Sequence, residues 1–208
     1  MKINRNTRLI GDKVILVPYR SHHVLKYHSW MKIPEIQELT ASEPLTLEEE
    51  YEMQKKWQND PDKLTFIVLR KDLYESCQSN DKIEKEIASM IGDVNCFVSI
   101  DFDNEDLYLG ELEIMIVDKE NRKSGFGTES IILMINYCHK NLLNPKVNEF
   151  IVKITQENEP SIKMFKKIGF IFSKNITAFQ QIELKLNVDS IQENSIFANK
   201  MYSIDDSY

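Results

Sequence analysis

Apolar and polar residues alternate over 111–117, where Leu112, Ile114 and Ile116 interleave with Glu111, Glu113, Met115 and Val117. That period of two predicts a strand. Short β-rich runs at 13–19 (KVILVPY), 64–69 (LTFIVL), 88–100 and 149–155 (EFIVKIT) predict four more, the third of them bent near Gly92-Asp93. Helical spacing of Val24, Tyr27, Trp30 and Met31 predicts a helix capped by Ser21, and Pro34 either interrupts it or begins the next piece. A turn-rich link, 39–44, precedes a capping box at Thr46 and Glu49, which opens a helix reaching about Trp57. Residues 72–86 are polar and without period, which predicts a surface insertion. Ile131, Ile135, Cys138 and Leu142 mark one face of a helix over 126–141, and Pro160 and Gly169 bracket another. Strands at 170–173 and 178–188 close the domain. Residues 189–208 form a loosely ordered polar tail by this pattern. A helix joining the fourth and fifth strands implies a parallel crossover inside a mixed sheet.

Composition narrows the partners. The 208 residues are 42% hydrophobic and carry a net charge of −7, which suits one large domain and gives no general attraction for a phosphate backbone. Nucleic acid is therefore not the expected partner. Three scattered cysteines fit a reducing compartment and give no CxxC metal spacing. The N-terminus lacks an apolar run of signal length, and no stretch reaches the roughly 18 apolar residues of a membrane span. A cytoplasmic protein with no membrane partner is expected.

The candidate chemistry starts where the 111–117 strand ends. After a polar break at 118–124, Gly125-Phe126-Gly127-Thr128 opens the 126–141 helix. Strand, glycine loop and helix in that order aim first-turn N–H groups at one point, where an anion such as a phosphate is favoured. The same order also serves as a plain strand-to-helix turn. A P-loop is excluded because Gly-Lys-Ser/Thr is absent. The acidic residues at 101–106 lack the spacing and central glycine of a calcium loop, so a solvated hairpin connection is expected there. His22, His23, His28 and His139 show no metal-ligand spacing and no obvious Cys or Ser partner. They are expected as surface or packing residues, with no metal site.

Arg122-Lys-Ser-Gly125-Phe-Gly127 resembles the Arg/Gln-x-x-Gly-x-Gly/Ala signature of the GCN5-related N-acetyltransferases (GNAT). Asn158-x-x-Ser161, Phe165 and Gly169-Phe170 are similar to that superfamily's second segment, in its order and at about its separation. Thr128-Glu129 resembles the branch that includes the ribosomal-protein alanine acetyltransferases. Longer matches, Asn4-Arg-Asn-Thr7, VILVPY, LTASEPLTLEEEY (39–51), GDVN (92–95), GELEIMI and NEPSIKMF, look like the N-acetyltransferase 9 family across residues 1–188.

The resemblance implies an α+β fold: a mixed, mostly antiparallel central sheet with a parallel splayed strand pair and flanking helices. It implies an acetyltransferase domain over 1–188, followed by the tail. The implied activity is transfer of acetyl from acetyl-coenzyme A to an amine of a protein or peptide, without a metal. Residues Arg122, Lys123, Ser124, Gly125, Phe126, Gly127 and Thr128 would hold the pyrophosphate. Backbone at Met115, Ile116 and Val117 would meet the pantetheine arm, and Asn158, Ser161 and Phe165 would lie nearby. Asn158 also suits a helix cap. Glu111 and Glu113 share a face of their strand and are base candidates if that face is the site's. Phe165 stands where many members place a proton-donating Tyr, and Lys123 replaces a Gly that often follows the Arg. The Phe suggests an alternative, an acyl-coenzyme A-binding interaction module with little catalysis; small-amine acetylation is a third reading. The first two helices, the one capped by Ser21 and the one from Thr46 to about Trp57, and the link at 39–44 should shape the acceptor side.

Overall fold

The computed structural model describes residues 3–102, 104–142, 145–193, 195–198 and 203–205. The strands among them are β1 (Arg8–Ile10), β2 (Val14–Pro18), β3 (Lys63–Arg70), β4 (Met90–Asp101), β5 (Asn104–Ile116), β6 (Glu149–Thr155), β7 (Ile171–Ile176), β8 (Gln181–Asn187) and β9 (Ser203–Asp205). They form one sheet in the order β7-β8-β6-β5-β4-β3-β2-β1-β9. Neighbours run antiparallel except β5 and β6, the pair joined by the long crossover helix. The expected α+β class with a mixed, mostly antiparallel sheet and one parallel pair is borne out.

Alternation along the central strands builds two cores. Leu16, Phe66, Val94, Leu112 and Phe150 face α6 (Phe126–Asn141) and α7 (Glu159–Ile168). Val17, Ile67, Met115 and Val117 face α1 (Val24–Met31) and α2 (Pro34–Thr40), with α3 (Leu47–Asn59) packed against the same side. A side chain as large as Phe66 or Phe150, fully removed from water, contributes roughly 1.5–3 kcal/mol. Gly92 lets β4 close on β5, since a Cβ there would lie 1.8 Å from the Met115 carbonyl oxygen.

Several expectations are corrected. The insertion at 72–86 is helical: α4 (Lys71–Ser76) and α5 (Lys82–Ser89), with Asp81 accepting from the Ile83 N–H at the start of the second. These helices are short and mostly exposed, so they left no clear apolar period. β1 is too short to register as a run. β5 starts at Asn104, seven residues before the apolar alternation begins, because Asp101 pairs with Asn104 in a tight hairpin. The tail is ordered where it is described: α8 (Asp189–Glu193) and α9 (Ser195–Ala198) bury Ile191 and Phe197, and β9 pairs with β1. The closing Asp-Ser-Tyr of the expected tail lies outside the described residues.

Candidate active site

The parallel pair β5–β6 is hydrogen-bonded over only three positions, Leu109 with Glu149, Gly110 with Phe150 and Glu111 with Ile151. Beyond them β5 runs on to Ile116 and β6 to Thr155 without pairing. The sheet therefore opens toward the carboxyl ends of these strands. Val117 donates its N–H to the Ile91 carbonyl, and Val98 donates to Asp62 on the β3 side. By the alternation of an antiparallel ladder, backbone groups of Glu111, Glu113 and Met115 then face β4, while those of Leu112, Ile114 and Ile116 face the opening. Of the three residues expected to meet a pantetheine arm through their backbone, Ile116 is the one turned that way. Met115 and Val117 are engaged within the sheet.

At the mouth of the opening stands the loop 118–125. Arg122 does not point outward. Its Nε donates to the Ile116 carbonyl at 3.0 Å, Nη2 to the Val117 carbonyl at 2.8 Å, and Nη1 to Glu35 of α2 at 2.9 Å. The guanidinium thus fastens the end of β5 to the loop and to the α1–α2 side. Lys123 adopts φ 62°, a left-handed angle costly for a residue with a Cβ, and Gly125 follows at φ 89° as the N-cap of α6. No side chain caps this helix. The first-turn N–H groups of Phe126, Gly127 and Thr128 have no intrahelical acceptor, so the backbone here fits an anion. Two features of the sequence did not foretell the cation beside it. Lys13, 111 residues away, donates from Nζ to the Ser124 carbonyl at 2.9 Å. Glu129, buried in the first turn of α6, accepts the N–H groups of Asp12, Lys13 and Val14 at 3.0, 2.7 and 3.0 Å. That clasp holds the turn carrying Lys13 against the loop.

α7 packs beside the same loop: Met164 Sδ lies 3.5 Å from where a Cβ on Gly127 would be. Asn158 caps α7, its Oδ1 accepting the Ser161 N–H at 3.2 Å. Phe165 is buried edge-on to Phe170, with ring centroids 5.1 Å apart.

Glu111 and Glu113 lie on the face of the sheet shared with α1 and α3. Glu111 Oε2 accepts from Lys153 Nζ of β6 at 2.6 Å, an ion pair across the throat of the opening. Glu113 is the freer of the two, its side chain 59% exposed, with Lys63 Nζ 3.7 Å away. Behind it are two polar residues, Asp93 and Asn95, to which the resemblance gives no role. Both are buried, and burial pushes the Asp93 carboxyl up to about 7, against the lowering effect of the Asn95 hydrogen bond. The signal for them was present: two polar residues at alternate positions in an otherwise apolar strand run.

Two of the four histidines gather around a buried acid. Nε2 of His22 and of His23 lie 2.8 and 3.0 Å from Glu86 Oε2. The three ligand atoms are close enough for an ion, yet His23 Nδ1 accepts the Arg20 N–H at 3.1 Å. The neutral ring then carries its proton on Nε2, leaving no lone pair there for a metal.

A sheet that opens at its one parallel pair, in front of an uncapped glycine-loop helix, defines the class as an acetyltransferase of the GNAT fold. The family model of the acetyltransferase (GNAT) domain matches residues 13–171. The chain is 47% identical over 189 residues to the alpha/beta-tubulin-N-acetyltransferase 9 of Homo sapiens, covering 90% of this chain and 86% of that one. It is 44% identical over 206 residues to an N-acetyltransferase 9-like protein of Caenorhabditis elegans, covering 96% of each. The chain belongs to the N-acetyltransferase 9 family of GNAT enzymes, and acetyl-coenzyme A is its acetyl donor. Among solved structures, spermidine N-acetyltransferase from Vibrio cholerae in complex with CoA and spermine aligns with TM-score 0.65 over 85% of this chain and 96% of that one; at 17% identity it shares the fold alone.

Proposed function

We propose that this N-acetyltransferase acts on an amine of tubulin or a tubulin-like protein. The opening between β5 and β6, with the uncapped start of α6 at its mouth, is the observation that carries the site assignment. The names of relatives at 47% identity support the acceptor. Bound at the opening, acetyl-coenzyme A supplies an acetyl thioester already activated toward amines. In this reading the N–H groups of Phe126, Gly127 and Thr128, with backbone at Ser124 and Gly125, bind the pyrophosphate, and the Lys13 ammonium adds the positive charge. Arg122 and Lys123 shape the loop rather than reach the anion. Backbone at Ile114 and Ile116 satisfies the amides of the pantetheine arm. Asn158, Ser161 and Phe165 form the α7 side of the groove.

Glu113 receives the proton that the acceptor ammonium must lose, and Glu111, held by Lys153, braces the two strands at the throat. Phe165 has no proton to give, so the leaving thiolate is protonated from solvent or from the amine itself. The proton route runs through carboxylates and calls on no metal. A cytoplasmic site of action fits free thiols at Cys77, Cys96 and Cys138, and no helix among the described residues is long and apolar enough to cross a membrane. The net charge of −7 disfavours nucleic acid as a partner.

The test is incubation with acetyl-coenzyme A and purified tubulin heterodimer, beside tubulin-derived peptides and a panel of polyamines, read by thiol release and by mass mapping of the acetylated amine. Acetylation of one tubulin amine is expected. Turnover on polyamines with none on tubulin or its peptides would overturn the acceptor assignment.

A further inference from the structure

The face that presents Glu113 also buries an acid that acetyl transfer through Glu113 alone leaves unused. Asp93 is 3% exposed and stands opposite Met115 across the β4–β5 ladder. It is thus the diagonal neighbour of Glu113 on one face, roughly 7–8 Å away between backbones, and the Glu113 charge acts on its carboxyl. Its hydrogen-bond partners are neutral: Asn95 Nδ2 donates to Oδ2 at 2.7 Å and the Tyr27 hydroxyl donates to the same oxygen at 3.5 Å. Asn95 Oδ1 accepts from Thr65 Oγ1 at 2.7 Å, which fixes the amide's orientation. Lys63, the nearby cation, is drawn instead to Glu113 and to the Trp57 ring, 3.8 Å from its centroid. A buried carboxylate with uncharged partners costs stability, and an Asn at the position would keep both hydrogen bonds. Folding alone gives no reason for the acid.

Its surroundings are polar beyond what the fold needs. Tyr19 Oη, Glu50 Oε2 and His28 Nδ1 are buried without a hydrogen-bond partner among the described residues. The Tyr19 and Tyr27 rings are 5.0 Å apart, and both Glu50 and Asp93 act on the Tyr19 hydroxyl. At the far side Tyr19 and Thr65 border a surface cleft together with Asn4, Arg5 and Trp57.

We propose that Asp93 is the proton store of the transfer reaction, taking in through Glu113 the proton that the acceptor ammonium loses and releasing it toward the cleft at Tyr19 and Thr65. The proposal rests on the reading that Glu113 faces the acceptor. Asp93 acts through Glu113 and touches neither substrate, so it is a positioning residue. The acceptor ammonium gives one proton to the carboxylate pair and becomes a neutral amine. Its nitrogen bonds to the acetyl carbonyl carbon, the C–S bond breaks, and sulfur leaves with the second N–H proton as a thiol. The stored proton then passes to solvent, and the charges balance. The groups facing Asp93 suit exchange near neutrality: Glu113 from β5 favours the protonated form, Lys63 from β3 and Tyr27 from α1 favour the ionised form, and Tyr19 and Glu50 complete the shell.

The experiment combines the pH profile of kcat/KM for wild type and Asp93→Asn with a carboxyl NMR titration of Asp93 in wild type and Glu113→Gln, without coenzyme. The Asp93 carboxyl is expected to titrate near 7 in wild type and lower in Glu113→Gln. The wild-type profile should carry a limb with that midpoint; Asp93→Asn should lose the limb and about tenfold of kcat/KM at neutral pH, while coenzyme binding by calorimetry holds and Tm does not fall. Asp93→Glu should restore part of the limb. An Asp93 carboxyl titrating near 4, in the ordinary range, or an active, folded Asp93→Asn enzyme with the wild-type limb, would overturn the store alone. A wild type without turnover on any amine would overturn the acetyl-transfer reading and the store with it.

Discussion

Oε2 of Glu129 accepts the backbone N–H of Lys13 at 2.7 Å across 116 residues of chain, and the Lys13 ammonium donates to the Ser124 carbonyl at 2.9 Å. The helix that starts at the glycine loop thereby holds the turn that brings a cation to the same loop. Glu129→Ala leaves three backbone N–H groups without their acceptor and should cost about 1–3 kcal/mol of stability. Lys13→Ala should leave Tm unchanged and weaken coenzyme A binding about five- to tenfold, the scale of one charged hydrogen bond at an exposed site. Calorimetry and thermal melts on both variants separate clasp from charge.

Gly125 and Lys123 both take left-handed angles, but one suits its angle and the other does not. A Cβ on Gly125 would meet Lys13 Nζ at 3.2 Å at φ +89°, so Gly125→Val should abolish coenzyme binding. Gly127→Ala meets only ordinary contacts at 3.5–3.8 Å and should bind normally. Lys123→Gly should raise stability by about 1 kcal/mol, the cost of holding a side chain in this region. Chemical denaturation would read that gain.

Arg122 fastens the two carbonyls that end β5, while its Glu35 partner is largely in water. Arg122→Lys cannot reproduce the fork of Nε and Nη2 donors and should lower both Tm and coenzyme affinity. Glu35→Gln should alter neither, because exposed pairs contribute little.

The two strand glutamates should separate by kinetics. Glu113→Gln is expected to lower kcat about a hundredfold with KM for coenzyme unchanged, the usual range for a lost proton acceptor. Glu111→Gln frees Lys153 at the throat and should act mainly on KM. Equal, small effects in both would remove carboxylate catalysis.

Glu86 and His23 should contribute an acid limb to stability. Burial disfavours the Glu86 carboxylate, but hydrogen bonds from His22 and His23 prevail and hold it down at about 2, against 4.5 unfolded. Burial likewise lowers His23 below 6.5. In both cases the unfolded chain binds the proton more readily, so stability rises with pH. Their contribution should be complete above about 6.5, begin to fall as His23 becomes protonatable, and fall further from 4.5 toward 2, against the opposite slope of Asp93, whose carboxyl is raised from 3.8 to about 7 and therefore loses stability as pH rises between those values. Melts across pH should show a flatter acid limb in Glu86→Gln.

Local pattern was enough for much of this protein. Alternation over 111–117, the glycine loop before the 126–141 helix, and Asn158 through Gly169 each depend on residues close in sequence, because helix caps, glycine angles and strand periodicity are short-range properties. The sequence by itself thus determined the mixed sheet, the crossover and the place of the glycine loop at the start of the long helix. Tertiary structure decided what pairing across the sheet decides. The ladder register turns Ile114 and Ile116, rather than Met115 and Val117, toward the opening. Arg122 is drawn inward onto β5 and Glu35, and Lys13 arrives from the far end of the chain on the Glu129 clasp. Asp93 acquires its environment only when α1 and α3 cover it. A side chain's charge and partners are set by whatever packs against it, and for these residues the neighbours come from distant strands and helices.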